Sequence, residues 1–442
     1  MIQLYQIKDS NNTLYGKNQS SVTQKNTPSV PFAVKTASEG GGLGIFTKSQ
    51  AKLKQTLDLS RVHEFLLQDQ SCDILRENKL VHRVNNCLKK RIDKNKNRKV
   101  MLNEERMKAH YTNVQRCGSV WACPVCAKQI TEIRREEIKT AVENFRKMNC
   151  EKGADIKLLT LTFSHHIGMP LSDLLSKLKV AIAKFYGHRT FKEFTSTCEI
   201  VGKVRSFEVT YGQNGWHPHF HILLLSHDVN NLAFKNSQSL IALWKKCCVE
   251  AGLKSPSSKH GLDIRDGEYA EQYVAKWGID FEMTKGHTKK GNEGGFTPFD
   301  LLQLSFENNP TFGGRTPSSL FAEYVVSTKG FRQLVWQRGL KSMLLIEDIS
   351  DEEIAEQTEK MGIEVYDLPD LIFHLLKKYK RRHDFLTCIE NDWKNGVYGS
   401  GTTENLIFDL AQLEIDSFNS EYNPEDAQRL SEFMEKLKEI YN

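Results

Sequence analysis

Between residues 156 and 290 the chain switches between the two hydrophobic periods of regular structure. Ile156-Lys157-Leu158-Leu159-Thr160-Leu161-Thr162-Phe163 is a short apolar run that reads as a strand. Residues 171–186 place Leu174, Leu175, Leu178, Ile182 and Phe185 at helical spacing. Val204 to Tyr211 and residues 216–225 read as two further strands. Gly212-Gln213-Asn214-Gly215 between them is a tight turn, so the pair is predicted to be an antiparallel hairpin. Helices are predicted around 237–250 and 267–281, the second carrying Tyr269, Tyr273 and Trp277. Upstream, Ile130, Ile133, Ile138, Val142 and Phe145 mark an amphipathic helix from Ala127 to Met148.

The pattern weakens at both ends. Residues 1–50 are rich in Ser, Thr, Asn, Lys and Gly and read as a disordered leader. Residues 318–345 mix helix and strand signals, and residues 350–442 are helical in pattern, with acidic and basic runs but no chemistry. Four segments follow: a leader over 1–50, a basic cysteine-rich region over 51–150, an α/β unit over 151–345, and a helical region over 346–442. Hydrophobic content of 39% and charged content of 26% are ordinary for a globular chain.

The net charge of +6 is mild, but its distribution is not. Residues 83–108 hold ten Lys/Arg against three acids, whereas residues 346–361 are mostly acidic. Lys89, Lys90, Arg91, Lys94, Lys96, Arg98 and Lys99 form the densest part of the basic run. They are expected to contact a polyanion. The N-terminus has no signal-peptide apolar run and no window reaches the length of a membrane span, so a cytoplasmic protein with no membrane association is expected. Disulfides are rare in that compartment, so clustered cysteines point to metal. Cys117-x5-Cys123-Pro124-Val125-Cys126 supplies three thiolates suited to tetrahedral Zn²⁺.

In a strand, residues two apart share a face. His217, His219 and His221 of Trp216-His217-Pro218-His219-Phe220-His221 therefore line one face. One such histidine is usually a hydrogen-bonded core residue, but three in alternation suit a divalent metal. The hairpin register adds a carboxylate. If Tyr211 pairs with Trp216, Glu208 lies opposite His219 and Ser206 opposite His221. Two imidazoles and a carboxylate leave positions open for a phosphate oxygen, which suits Mg²⁺ or Mn²⁺ without excluding Zn²⁺. Downstream, Tyr269 and Tyr273 fall four apart on a predicted helix, with Lys276 one turn beyond. A tyrosine hydroxyl can act as a covalent nucleophile, although an aromatic core stripe would show the same spacing.

The ordered set Leu159-Thr160-Leu161-Thr162-Phe163-Ser164-His165-His166, then Gly215-Trp216-His217-Pro218-His219-Phe220-His221, then Tyr273-Val274-Ala275-Lys276, resembles the plasmid rolling-circle replication initiators of the HUH endonuclease superfamily. The cysteine segment resembles that of the same initiators, and the likeness covers roughly residues 80–340. It implies an α+β fold: a central antiparallel sheet with flanking helices, preceded by a zinc module and followed by a mainly helical region. It also implies roles. His219 and His221 hold the catalytic metal, with His217 less certain. Tyr273 attacks a scissile phosphate at an origin, leaving a 5′-phosphotyrosyl enzyme and a 3′-hydroxyl primer, and Lys276 assists. Family members carry an earlier cysteine, which makes Cys87 the first choice for the fourth zinc ligand, with His82 and His110 as rivals.

The position four residues before Tyr273 is Tyr269, where some initiators carry a glutamate, so termination uses either Tyr269 or an acid such as Glu268. The implied partners are single-stranded or hairpin origin DNA, a host helicase, since no phosphate-binding Gly-x-x-x-x-Gly-Lys-Ser/Thr loop is present, and the bacterial replication machinery. The expected setting is a plasmid-encoded bacterial protein. Competing readings are a rolling-circle transposase, a histidine-triad nucleotide hydrolase, and a non-catalytic zinc-containing DNA-binding regulator.

Overall fold

The longest regular feature is the hairpin of β4 (Ile200–Gly212) and β5 (Gly215–Ser226). Its register pairs Tyr211 with Trp216, Glu208 with His219 and Ser206 with His221, as turn chemistry predicts. Gln213 and Asn214 make the turn and Gly215 closes it at φ +84°, a left-handed conformation that costs a residue with a Cβ ~1–2 kcal/mol. The computed structural model describes residues 64–227, 237–266, 296–306, 312–357, 362–397 and 401–419, with residues 428, 431–436 and 440 beyond. The leader over 1–50 and the predicted helix over 267–281 lie outside the described residues.

The hairpin forms the middle of a five-stranded sheet of order β6-β3-β5-β4-β7, with β3 at Asp155–Leu161, β6 at Leu262–Arg265 and β7 at Leu334–Trp336. Every pairing in it is antiparallel. β5 is central, and its burial shows two regimes. From Trp216 to Ile222 buried residues alternate with half-buried histidines, and from Ile222 onward both faces are buried.

Helices explain the change. A helix over 64–77, α1, precedes α2 (Pro124–Met148). The stripe Ile138, Ala141, Val142 and Phe145 of α2 packs on Ile156, Leu158, Val204, Leu223 and Leu225. These residues share the histidines' sheet face, so α2 covers that face at one end and leaves the histidine end uncovered by its stripe. The opposite face carries α3 (Leu171–Gly187), α4 (Ser237–Glu250) and α5 (Pro317–Ser327). There Trp216 stacks on Tyr324 and donates from Nε1 to Glu323 at 2.9 Å. Trp244 packs edge-on to Phe185 and donates to the Thr162 carbonyl at 2.6 Å.

A second, three-stranded sheet has the order β2-β1-β8, with β1 at Arg98–Asn103, β2 at Lys108–Thr112 and β8 at Ile363–Leu368. β8 interrupts a C-terminal region that is mainly helical, as expected. Its residues alternate weakly between half-buried and exposed, so no clear strand period marks them. β8 ties the C-terminal region onto the basic region through pairs such as Arg98↔Leu368 and Lys99↔Asp367. Ser60–Glu414 form one compact unit. The segment boundaries expected at 150 and 345 both fall inside this unit. Among the described residues no helix is long and apolar enough to cross a membrane.

A Cβ at Gly215 would also lie 2.8 Å from Ile167 Cα. Gly215→Ala is therefore expected to lower stability in denaturant melts by about 2 kcal/mol or more. Gly396→Ala is the control. Gly396 has φ +71° but nothing within 4 Å of the added carbon, so it should lose only the backbone share.

Candidate active site

β5 presents His217, His219 and His221, and β4 presents Glu208 beside them. Glu208 Oε2 lies 3.4 Å from His219 Nε2 and 3.7 Å from His221 Nε2. The three ligand atoms lie within 4.8 Å of one another. Two ligands each about 2.1 Å from one ion sit roughly 3.0–3.4 Å apart, so the spacing accepts a divalent ion after a small contraction. His217 is not part of this close group, in keeping with its weaker standing as a ligand.

The hydrogen bonds set the tautomers. His219 Nδ1 donates to the His217 carbonyl at 3.1 Å, which leaves the Nε2 lone pair facing Glu208. His221 Nδ1 meets Thr160 Oγ1 at 2.9 Å, and its Nε2 also faces Glu208. A fourth imidazole enters from the end of β3. His165 Nδ1 donates to the Asn214 carbonyl at 2.9 Å, and its Nε2 accepts from His217 Nδ1 at 2.7 Å. Neither Thr160 nor His165 stands out by spacing, although both lie in the stretch that resembles the family's first motif.

Electrostatics keep most of these rings neutral. Burial, with His219, His165 and His221 nearby, pushes His217 down to about 3. Burial outweighs Glu208 at His221 and lowers it to about 4. Burial lowers His165 as well. At His219 burial also opposes charge, but the hydrogen bond and charge of Glu208 win and raise its pKa.

The cysteines form a second group. Cys87, Cys117, Cys123 and Cys126 are all buried, with sulfurs within 4.8 Å of one another. The individual separations are 3.5 Å for Cys87–Cys126, 3.7 Å for Cys117–Cys126 and 3.8 Å for Cys87–Cys123. Four sulfurs at ~2.3 Å from a tetrahedral ion lie about 3.8 Å apart, so the donor set fits Zn²⁺. Residues 88–91 run beside 114–115, with Leu88 N donating to Gln115 O and Gln115 N to Lys90 O, both at 2.7 Å, which carries Cys87 to the cluster. His82 instead caps the turn Arg83–Asn86, and His110 sits on β2 opposite Met101. Cys123 is also the N-cap of α2, accepting from Cys126 N, with Pro124 at the first helical position. Hydrogen bonds from Cys117, Cys123 and Cys87 hold Cys126 well below the usual thiol value. Gln68 of α1 donates to Cys123 Sγ at 3.2 Å, a contact with no local sequence signal.

Residues 108–249 match the family model for replication proteins. The likeness to that family rests on this span. It contains β2, three of the four cysteines, Glu208 and the histidine strand, and it stops short of Tyr269. The chain is similar to a protein of Streptomyces lividans named protein rep, 26% identical over 299 residues, 52% of this chain and 64% of that one. It is also similar to a Streptomyces cyanogenus protein named neomycin resistance protein, 29% identical over 135 residues, 25% of this chain and 30% of that one. The chain thus spans less than two thirds of the length of either relative. No solved structure matches it.

Elsewhere in the chain, the basic run is largely consumed by internal pairing. Lys89 pairs with Asp69 at 2.8 Å, Arg98 and Arg91 with Asp370 at 2.6 and 3.1 Å, Lys96 with Asp93 at 3.7 Å and Lys99 with Glu364 at 2.6 Å. Arg98 is buried with its guanidinium over Phe373. Lys90 and Lys94 are exposed. Lys89 and Arg98 are turned into the fold, while Lys90, Lys94 and Lys96 are exposed and the Lys99 side chain is 42% exposed. Tyr269, Tyr273 and Lys276 lie outside the described residues.

Two outcomes follow. His217 and His221 titrate below their ordinary 6.5, so between that value and about 4 the unfolded chain binds more protons than the native one. Metal-free protein should keep this stability above pH 6.5 and lose it as pH falls through the window. His219, with its raised value, contributes oppositely, adding stability at low pH that fades as pH rises through its folded pKa. Melts in chelator at stepped pH should show the net fall, and His217→Gln should flatten it. Separately, Cys123→Ser should cost bound zinc in elemental analysis; unchanged zinc content would remove the cysteines from that role.

Proposed function

We propose that this chain initiates rolling-circle replication by nicking one strand of an origin and later rejoining it. The observation that carries the reading is the Glu208–His219–His221 group on a half-exposed sheet face inside a replication-protein span. An ion held there, Mg²⁺ or Mn²⁺, would polarise a scissile phosphate and stabilise charge during its displacement.

Tyr273 is the nucleophile in this reading. Its hydroxyl oxygen bonds to phosphorus, the bond to the 3′ oxygen breaks, and the departing oxygen takes a proton to become a 3′-hydroxyl. The phosphotyrosine retains the bond energy, so rejoining needs no ATP. Lys276 places an ammonium for the phosphate charge. Tyr269 is the candidate for the second cleavage that ends a round, with Glu268 as the acidic alternative.

Chain reach supports Tyr273. Asp263 of β6 lies opposite Thr160, which lies opposite His221, so β6 is two strands or ~10 Å from the ligands. Tyr273 is the seventh residue after Asp266, a span of up to ~25 Å. The cysteine group is proposed to hold structural Zn²⁺, and host helicase to supply unwinding.

The test is incubation of purified protein and Mn²⁺ with a supercoiled plasmid carrying the DNA that encodes it. A nick with protein attached to the 5′ end is expected, and Tyr273→Phe should abolish the adduct. Glu208→Gln should weaken Mn²⁺ binding and nicking by on the order of 10–100-fold. Binding to the origin without any cut would leave the regulator reading standing instead.

A further inference from the structure

A cleft of about 1190 Å³ runs along the outer edge of β7, where no further strand pairs among the described residues. It exceeds the ~300–1,000 Å³ of a drug-sized ligand site, so a polymer segment suits it better than a metabolite. Residues 329–339 and 81–83 form parts of its walls, with residues 118–121 and 348–353. Residues 118–121 are the loop between Cys117 and Cys123, so one wall is shaped by the cysteine group.

Its charges do not cancel. Three of the four acids on the wall are paired with a cation. Glu352 meets Arg83 at 2.9 Å, Asp351 meets Arg134 at 2.7 Å and Asp348 meets Lys341 at 3.0 Å. Glu353 accepts from Ser350 N at 2.8 Å. Lys329, Arg332 and Arg338 are exposed in the cleft and have no carboxylate partner among the described residues. Trp336 also lines the cleft, half-buried, with Lys341 Nζ 5.6 Å from its ring centroid. Three cations without a carboxylate, against one acid without a cation and beside an aromatic side chain, match a backbone of phosphates with bases to stack.

Position supplies the third argument. Leu334 of β7 lies opposite Ser206, which lies opposite His221, so the cleft edge is two strands, ~10 Å, from the proposed metal ligands. We infer that this cleft holds the single-stranded DNA flanking the scissile phosphate, with Lys329, Arg332 and Arg338 on phosphates and Trp336 against a base. The inference rests on the proposed action on DNA and adds where the strand lies.

The test uses the full chain carrying Lys329→Ala, Arg332→Ala and Arg338→Ala together, all at exposed positions. Anisotropy of a labelled mixed-sequence single strand is followed between about 50 and 200 mM salt. Each lost phosphate contact lowers the log–log salt slope by ~0.7, so a drop of about 2 is expected, with affinity down on the order of tenfold or more. The loss should be smaller on a duplex of equal length, and Mn²⁺ affinity should not change. An unchanged slope, or an equal loss on duplex, would overturn the assignment. The readout requires no cleavage. A chain that binds through this cleft yet never nicks would sink the nicking reaction and leave the cleft assignment intact.

Discussion

The register of the β4–β5 hairpin is the constraint on which the rest depends. Side chains alternate faces along a strand, so a slip of one residue would turn His217, His219 and His221 into the helix-covered face. It would also bring Trp216, Phe220 and Ile222, all buried, toward solvent. Burial of those apolar residues therefore enforces the alignment of the polar ones. The turn reinforces it, because Gly215 adopts a conformation and a close approach that a side chain would oppose. Glu208 reaches His219 and His221 only as a result of that pairing.

α2 connects the two candidate metal groups mechanically. Its first residues carry Cys126 and follow Cys123, and its later turns pack against the sheet under Leu223 and Leu225. A helix is stiff over this length, so the cysteine corner and the histidine face hold a fixed relation. Ion pairs add to this frame. Arg134 of α2 meets Asp351, and buried Arg382 meets Asp69 of α1. Buried pairs of this kind are weak evidence for stability, but they constrain which segments may pack together.

The family match covers the cysteine corner and the histidine strand, and ends before the tyrosines. Chemistry can therefore be argued from geometry on the metal side and only from reach on the nucleophile side. The β7 cleft lies two strands from the histidine strand, with one wall supplied by the loop between two cysteines. The cysteine group is thus more than a staple: it shapes a surface near the histidine face.

The sequence by itself determined the hairpin, its register, the shared face of the histidines and Glu208, and the helix that follows Cys-Pro-Val-Cys. Each of these rests on local geometry, a period of two or 3.6 and a turn of defined length, and local geometry is written in neighbouring residues. Cys87 was legible only as one choice among three, because a loop's path decides which donor 30 residues away arrives. β8 and the fate of the basic run were not legible at all. Arg98 finds Asp370 and Lys99 finds Glu364 across more than 260 residues, with |i−j| of 272 and 265. A run of charge shows its sign but not its partners. Only tertiary packing decided that Lys89 and Arg98 turn inward while Lys329, Arg332 and Arg338, unremarkable in the sequence, gather on one open edge.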